Sequence, residues 1–336
     1  MGALARVLAP LAVLILLAAS PTRAATATGS GVTYTVETLH LAVAIGPSGA
    51  EHCDIVGDLY RPSDARAHRV PAILTTNGFG GSKDDQAGLA RYLATQDYVV
   101  LSYSGLGFGG SGCKITLDDP DWDGQAARQL VGFLGGEDGI AYADATHTQP
   151  VTGLNFVVHD PTDHAGRHDA HDPRVGMIGG SYGGEVQFAG ASVDPRIDAL
   201  IPLITWNDLS YSLTPNNTGL TTGVTSATPG VTKLTWPLLF FFEGAVLDSA
   251  EGFRSDPSRV IGCPNFTDEI CPDLAESGTL GYPSTGLLAL LRHASVSTYL
   301  SQIRIPVLLA QGENDTLFNL NRRSPPTGRW PHRAPQ

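Results

Sequence analysis

The chain has 336 residues, 42% hydrophobic and 16% charged, enough to bury a large core in one big or two smaller domains, which excludes disordered and fibrous classes. Its 39 glycines and 23 prolines follow no collagen-like period and sit between apolar runs, where they act as turn residues. A formal charge of −12, with only three lysines, repels a phosphate backbone and an anionic membrane surface, so neither nucleic acid nor membrane is expected as a partner of the mature chain.

Residues 1–24 have the layout of a secretory signal peptide. Arg6 supplies the positive start, Val7 to Ala19 an apolar stretch of about thirteen residues, and Thr22-Arg23-Ala24 a small-residue cleavage site before Ala25. A membrane anchor needs ~20 apolar residues, so the mature chain is expected to be exported and soluble. That compartment permits disulfides among Cys53, Cys113, Cys263 and Cys271, which allow three pairings. Cys263 with Cys271 is the preferred pair; a zinc site or buried free thiols are the alternatives.

Val32 to Tyr60 is β-branched and alternating, predicting two antiparallel strands. An apolar run, Val70 to Thr76, then leads into a helix over 84–96 with Leu89, Tyr92 and Leu93 on one face. Tyr98 to Tyr103 is the next strand, followed by a glycine turn and a helix near 124–134. Val175 to Ile178, Ile197 to Ile204 and Ile305 to Ala310 supply three more strands. Strands alternating with helices predict an α/β fold, with a mostly parallel sheet covered by helices on both faces. The core would occupy residues 30–207 and 299–321. Between them, residues 208–298 lose the alternation and are read as a mainly helical cap inserted over the site.

Chemistry concentrates at Gly179-Gly180-Ser181-Tyr182-Gly183, a G-x-S-x-G turn between the strand at Val175 and the helix-compatible run from Glu185 to Ala191. Ser181 is the candidate nucleophile; a structural serine in a glycine turn is the plain alternative. A serine that attacks a carbonyl needs oxyanion donors, assigned to the backbone N–H groups of Tyr182 and of Phe79, the latter in the glycine turn Asn77 to Gly81. Asp315, after the strand Ile305 to Ala310, is the candidate acid. Asp208 is the reserve, and either aspartate could instead serve as a turn or helix cap.

Four segments together, Asn77 to Asp84, Gly105 to Gly112, Gly179 to Gly184 and Pro306 to Asp315, resemble the X-Pro dipeptidyl-peptidase and cocaine-esterase group of α/β-hydrolases over about residues 32–320. The resemblance implies the α/β-hydrolase fold with a helical cap and a secreted serine hydrolase. It also implies no cofactor and a small substrate, either an acyl ester or a peptide with a penultimate proline.

Two further patterns carry less. Gly105 to Gly110 fits the dinucleotide spacing G-x-G-x-x-G, but Ser111-Gly112 and the Asp118-Asp119-Pro120 turn replace the required helix. His159 to Asp172 holds four histidines and four aspartates, a composition able to bind metal that is more simply a solvated polar loop.

The expected base is absent from its usual place. Only 21 residues follow Asp315, and Arg322 to Gln336 contains four arginines, four prolines and no Val, Ile, Leu or Phe. Such a segment builds neither a helix nor a strand and reads as a shifted frame or a truncated product. His332 within it and His293 in the cap are the candidate imidazoles. Without a working base, the competing reading is an inactive hydrolase-fold binding protein.

Overall fold

The computed structural model describes residues 28–29, 32–65, 67–215, 230–247, 252 and 254–318. Residues 1–24, read above as a signal peptide, the 322–336 tail and His332 lie outside them. β1 (Thr28–Gly29) pairs with β2 (Val32–Ile45), which runs antiparallel to β3 (Glu51–Pro62) along its whole length, from Tyr34 opposite Pro62 to Ile45 opposite Glu51. Alternate residues of β2 (Leu39, Leu41, Val43 and Ile45) are buried on one face, the period-two burial that its sequence prescribes.

The other strands are β4 (Ala72–Thr76), β5 (Val99–Tyr103), β6 (Ala141–Tyr142), β7 (Pro150–Val151), β8 (Val175–Gly180) and β9 (Ile197–Leu203). They complete one sheet in the order β7-β6-β2-β3-β5-β4-β8-β9. Pairings are parallel among β5, β4, β8 and β9 and antiparallel through β3, β2, β6 and β7. The sheet is therefore mixed rather than mostly parallel, because the N-terminal strands are joined by short turns that only an antiparallel pair can use.

α1 (Ala87–Ala94) lies on one face with Tyr34, Tyr60 and Val100; α2 (Gln125–Leu134) and α3 (Tyr182–Val193) cover the other with Leu74, Leu101, Phe133 and Met177. The buried stripe of α1 is Ala90 and Ala94, and Tyr92, expected on that face, is 62% exposed. Small residues let this helix sit close to the sheet.

Ile305 to Ala310 does not become a full strand. It makes parallel bridges to β9 at Leu200–Val307 and Leu203–Ala310, while Leu308 faces outward at 67% exposure. It lies beside β9 at an edge, and among the described residues no strand pairs with its far side.

Between β9 and this segment, the described residues are helical: α4 (Leu209–Leu213), α5 (Thr235–Phe242), α6 (Ile270–Leu280), α7 (Thr285–His293) and α8 (Val296–Tyr299). No helix of the described residues is long and apolar enough to cross a membrane. Both disulfides are formed, Cys53–Cys113 and the preferred Cys263–Cys271, so neither zinc ligation nor free thiols apply.

Candidate active site

Ser181 joins β8 to α3 with φ +55° and ψ −119°, a left-handed backbone that a side-chain-bearing residue adopts at a cost of about 1–3 kcal/mol. The flanking glycines are demanded by contact. A Cβ on Gly179 would meet the Gly183 carbonyl oxygen at 2.5 Å, and one on Gly183 would meet the Thr76 carbonyl oxygen at 2.6 Å. The turn is held by the Ser181 N–H, which donates to the Leu203 carbonyl at 2.9 Å.

The parallel strands bring three chain turns to one edge of the sheet. Asn77 to Gly81 follows β4, and a Cβ on Gly78 would stand 3.9 Å from the Ser181 Cβ. Phe79 and Tyr182 line one cavity with Ser181, their rings 5.7 Å apart and edge to face. Among the described residues neither backbone N–H has an acceptor, so both remain available as donors. The turn carrying Asp315 arrives at the same edge, because the Ile204 N–H donates to the Ala310 carbonyl at 2.8 Å and Phe318 packs on Trp206 inside the cavity wall.

Asp315 is locally engaged. Its Oδ1 accepts from the Leu317 and Phe318 N–H groups at 2.8 and 2.7 Å, and its Oδ2 from Gln311 Nε2 at 2.8 Å. Asp208 caps α4, accepting from the Tyr211 N–H at 3.0 Å and Ser210 Oγ at 2.6 Å. None of the nine histidines among the described residues lines the cavity with Ser181. His293 is turned away against Asp121 and Asp119, at 3.2 and 3.3 Å.

The cavity offers about 100 Å³ to the centre of a water-sized molecule. Leu117, Trp206, Leu209, Phe240, Phe266 and Leu291 are among its walls, and among the described residues no charged side chain lines it. One carboxylate lies just outside. Glu243, at the end of α5, presses on Gly80 so closely that a Cβ there would stand 2.2 Å from its Oε1, and partial burial raises its pKa.

Beneath the turn is an acidic layer that the sequence analysis did not anticipate. The Asp118 N–H donates to the Tyr182 phenol oxygen at 3.0 Å, while both oxygens of the enclosed Asp118 carboxyl lack a hydrogen-bond partner. Asp123 accepts from the Thr116 hydroxyl, and Tyr299 donates to Glu185 Oε1 at 2.6 Å. Burial holds Asp118 and Glu185 well above the usual carboxylate range and brings Asp123 to about 7. In sequence, Glu185 follows the Ser181 turn and Asp118 and Asp123 stand in a distant acidic stretch, patterns indistinguishable from surface charge.

The dinucleotide-like glycine loop has another use. Arg259, fully buried, donates to the carbonyls of Gly107, Gly109 and Ser111 and to Asn265 Oδ1, clamping the cap segment onto the loop. The His159 to Asp172 segment is tied by pairs, Asp160 with Arg174, Asp163 with Arg167 and His164 with Asp198. It is not simply solvated: Asp163 and Asp172 are buried, at 7% and 2% exposure.

The sequence profile of the X-Pro dipeptidyl-peptidase (S15) family matches residues 51–233, more than half of the chain. No curated protein sequence matches. Among solved structures, acetyl xylan esterase 1 from Thermoanaerobacterium sp. JW/SL YS485 aligns with 89% of this chain and 74% of its own, at 14% identity and TM-score 0.45. The rice cell wall degrading esterase LipA from Xanthomonas oryzae aligns over 86% and 78%, at 16% identity and TM-score 0.43. A CocE/NonD family hydrolase from Staphylococcus aureus aligns over 82% of this chain but 40% of its own, at 14% identity and TM-score 0.46.

Proposed function

Since the chain belongs to the X-Pro dipeptidyl-peptidase (S15) family, we propose that it is an exported serine hydrolase in which Ser181 attacks the carbonyl of a small neutral ester. The observation that carries this is the strained Ser181 turn opening on a cavity shared with Phe79 and Tyr182. Attack by Ser181 Oγ forms a bond to the acyl carbon while its hydroxyl proton passes to a base, which no described histidine provides, and the carbonyl electron pair moves to oxygen, where the Phe79 and Tyr182 N–H groups stabilise it. Collapse re-forms the carbonyl and breaks the bond to the alkoxy oxygen, which takes up that proton and leaves as the alcohol; water then hydrolyses the acyl-serine. In this reading Asp315 is the acid that orients the base.

The ester is preferred over the peptide because the described residues of the cavity walls carry no charge. A peptide cleaved two residues from its start brings an ammonium group, which is costly to bury without a carboxylate. The second reading rests on Glu243, whose carboxylate beside Gly80 has no hydrogen-bond donor among the described residues and could receive that ammonium.

A fluorophosphonate probe in excess, followed by peptide mass spectrometry, should modify the chain at Ser181 and leave Ser181→Ala unmodified; labelling elsewhere, or none, refutes the nucleophile. Protection of Ser181 from the probe by p-nitrophenyl butyrate and by Ala-Pro-p-nitroanilide, compared side by side, separates the two substrates without turnover. Stronger protection by the anilide, lost in Glu243→Gln, would move the assignment to the peptide.

A further inference from the structure

Two residues in the cavity wall carry buried hydroxyls. Thr232, just before α5, and Ser277, in the last turns of α6, both line it, at 8% and 1% exposure. Among the described residues their hydroxyl oxygens have no hydrogen-bond partner. A helical serine ordinarily returns its hydroxyl to the carbonyl four residues back, and Ser277 does not. The two residues are adjacent in space, because the Thr232 N–H donates to the Gly281 carbonyl at 2.9 Å and the Gly281 N–H to the Ser277 carbonyl at 2.8 Å. Thr214, the third hydroxyl in these walls, is by contrast satisfied by the Ser210 carbonyl at 2.5 Å.

Buried hydroxyls without partners are rare because each forfeits its hydration with nothing in return. Two together, in a cavity otherwise walled by aliphatic and aromatic side chains, form a site complementary to one polar group on an apolar ligand.

We propose that Thr232 and Ser277 are specificity-determining residues that hydrogen-bond a carbonyl, ether or hydroxyl oxygen at the far end of the substrate. The substrate class is then a neutral ester whose apolar body carries one such oxygen away from the scissile bond. This rests on the reading of the cavity as the substrate site of Ser181. It adds that the cavity discriminates against plain hydrocarbon chains, since these would leave both hydroxyls unpaired.

The test uses binding, so that it does not depend on turnover. Isothermal titration of the full chain carrying Ser181→Ala compares 4-phenylbutan-2-one with its hydrocarbon isostere 3-methylbutylbenzene. The same titrations are repeated with Thr232→Val and Ser277→Ala added. The added pair should weaken the ketone about tenfold, the worth of two modest hydrogen bonds, and leave the hydrocarbon unchanged or slightly tighter. Thermal melting of the added pair should not fall, because the hydroxyls bond nothing in the free protein; a marked fall would mean that they have a structural role and would overturn the proposal. Equal effects on both ligands, no effect on either, or no binding of the ketone to the parent would also overturn it. Fluorophosphonate labelling of Ser181 in the otherwise unmodified chain reports separately on the hydrolase reading, so loss of one can be told from loss of the other.

Discussion

Replacing Asp123 by Asn should remove much of a fall in stability that the protein shows between about pH 4 and pH 7. The Asp123 carboxyl is enclosed beneath the Ser181 turn, where burial, reinforced by the neighbouring Asp119 carboxylate, raises its pKa from 3.8 to about 7 against the opposing Thr116 hydrogen bond. The folded chain therefore keeps a proton that the unfolded chain releases near pH 4. The stability this represents is fully present below the unfolded pKa and is lost as pH rises to the folded one. Roughly three pKa units at about 1.36 kcal/mol each give an effect on the order of 4 kcal/mol for this one group. The substituted amide keeps an acceptor for Thr116 and does not titrate. Urea unfolding of both chains near pH 4 and near pH 8 should find them within about 1 kcal/mol at the acid end. At the alkaline end the Asp123→Asn chain should be ahead by about 2–4 kcal/mol. Glu185 is raised in the same direction in both chains, whereas Asp118 is raised by burial and further by the Asp123 charge, so part of the difference passes through Asp118. Parallel profiles would refute the argument.

Arg259→Leu should cost about 3–5 kcal/mol, because the Gly107, Gly109 and Ser111 carbonyls lose a buried charged donor together. Arg259→Lys should not restore the loss, as one ammonium cannot span the fork, and urea melts decide both. Turnover of p-nitrophenyl acetate by residues 25–336 should lie within about tenfold of the Ser181→Ala variant, since removing a triad member costs ~10⁴ to 10⁶ in rate and no described histidine reaches the cavity. Robust turnover abolished by His332→Ala would refute this and identify the base.

Local patterns carried the strand and turn positions because each is set by a few adjacent residues. The β2 and β3 alternation, the Ser181 turn and the short-loop disulfide Cys263–Cys271 are of this kind. Pairings over long separations were harder to read. Cys53–Cys113 closes 60 residues, and Arg259 reaches carbonyls about 150 positions away, a contact that no spacing rule announces. The glycine loop at Gly105 shows the consequence: its flanking residues argued against a dinucleotide site, yet nothing local indicated that its carbonyls hold an arginine. Buried acids were illegible for another reason. Asp118 and Glu185 have the letters of surface residues, and only the packing of α3 against α2, α8 and the sheet makes them interior.

Those acids bear on the chemistry above them. Tyr182 supplies one proposed oxyanion donor through its N–H, while its phenol meets the Asp118 N–H, and burial together with the charges of Asp123 and Asp118 raises the phenol pKa. An oxyanion beside Tyr182 would be opposed by negative charge beneath it, and in an enclosed region that opposition is poorly screened. Protonation of Asp118, Asp123 and Glu185 therefore keeps the floor of the site neutral. Asp123 ionises as pH rises through about 7. Hydroxide alone accelerates attack by serine, so the informative quantity is the ratio of fluorophosphonate labelling rates in the parent and Asp123→Asn chains. That ratio should be close to one below about pH 6 and should fall several-fold by about pH 8, as the parent alone acquires a charge under the oxyanion site. A ratio constant with pH would mean that the acidic layer acts on stability only, and that the field at the Tyr182 N–H is set by the α3 N-terminus.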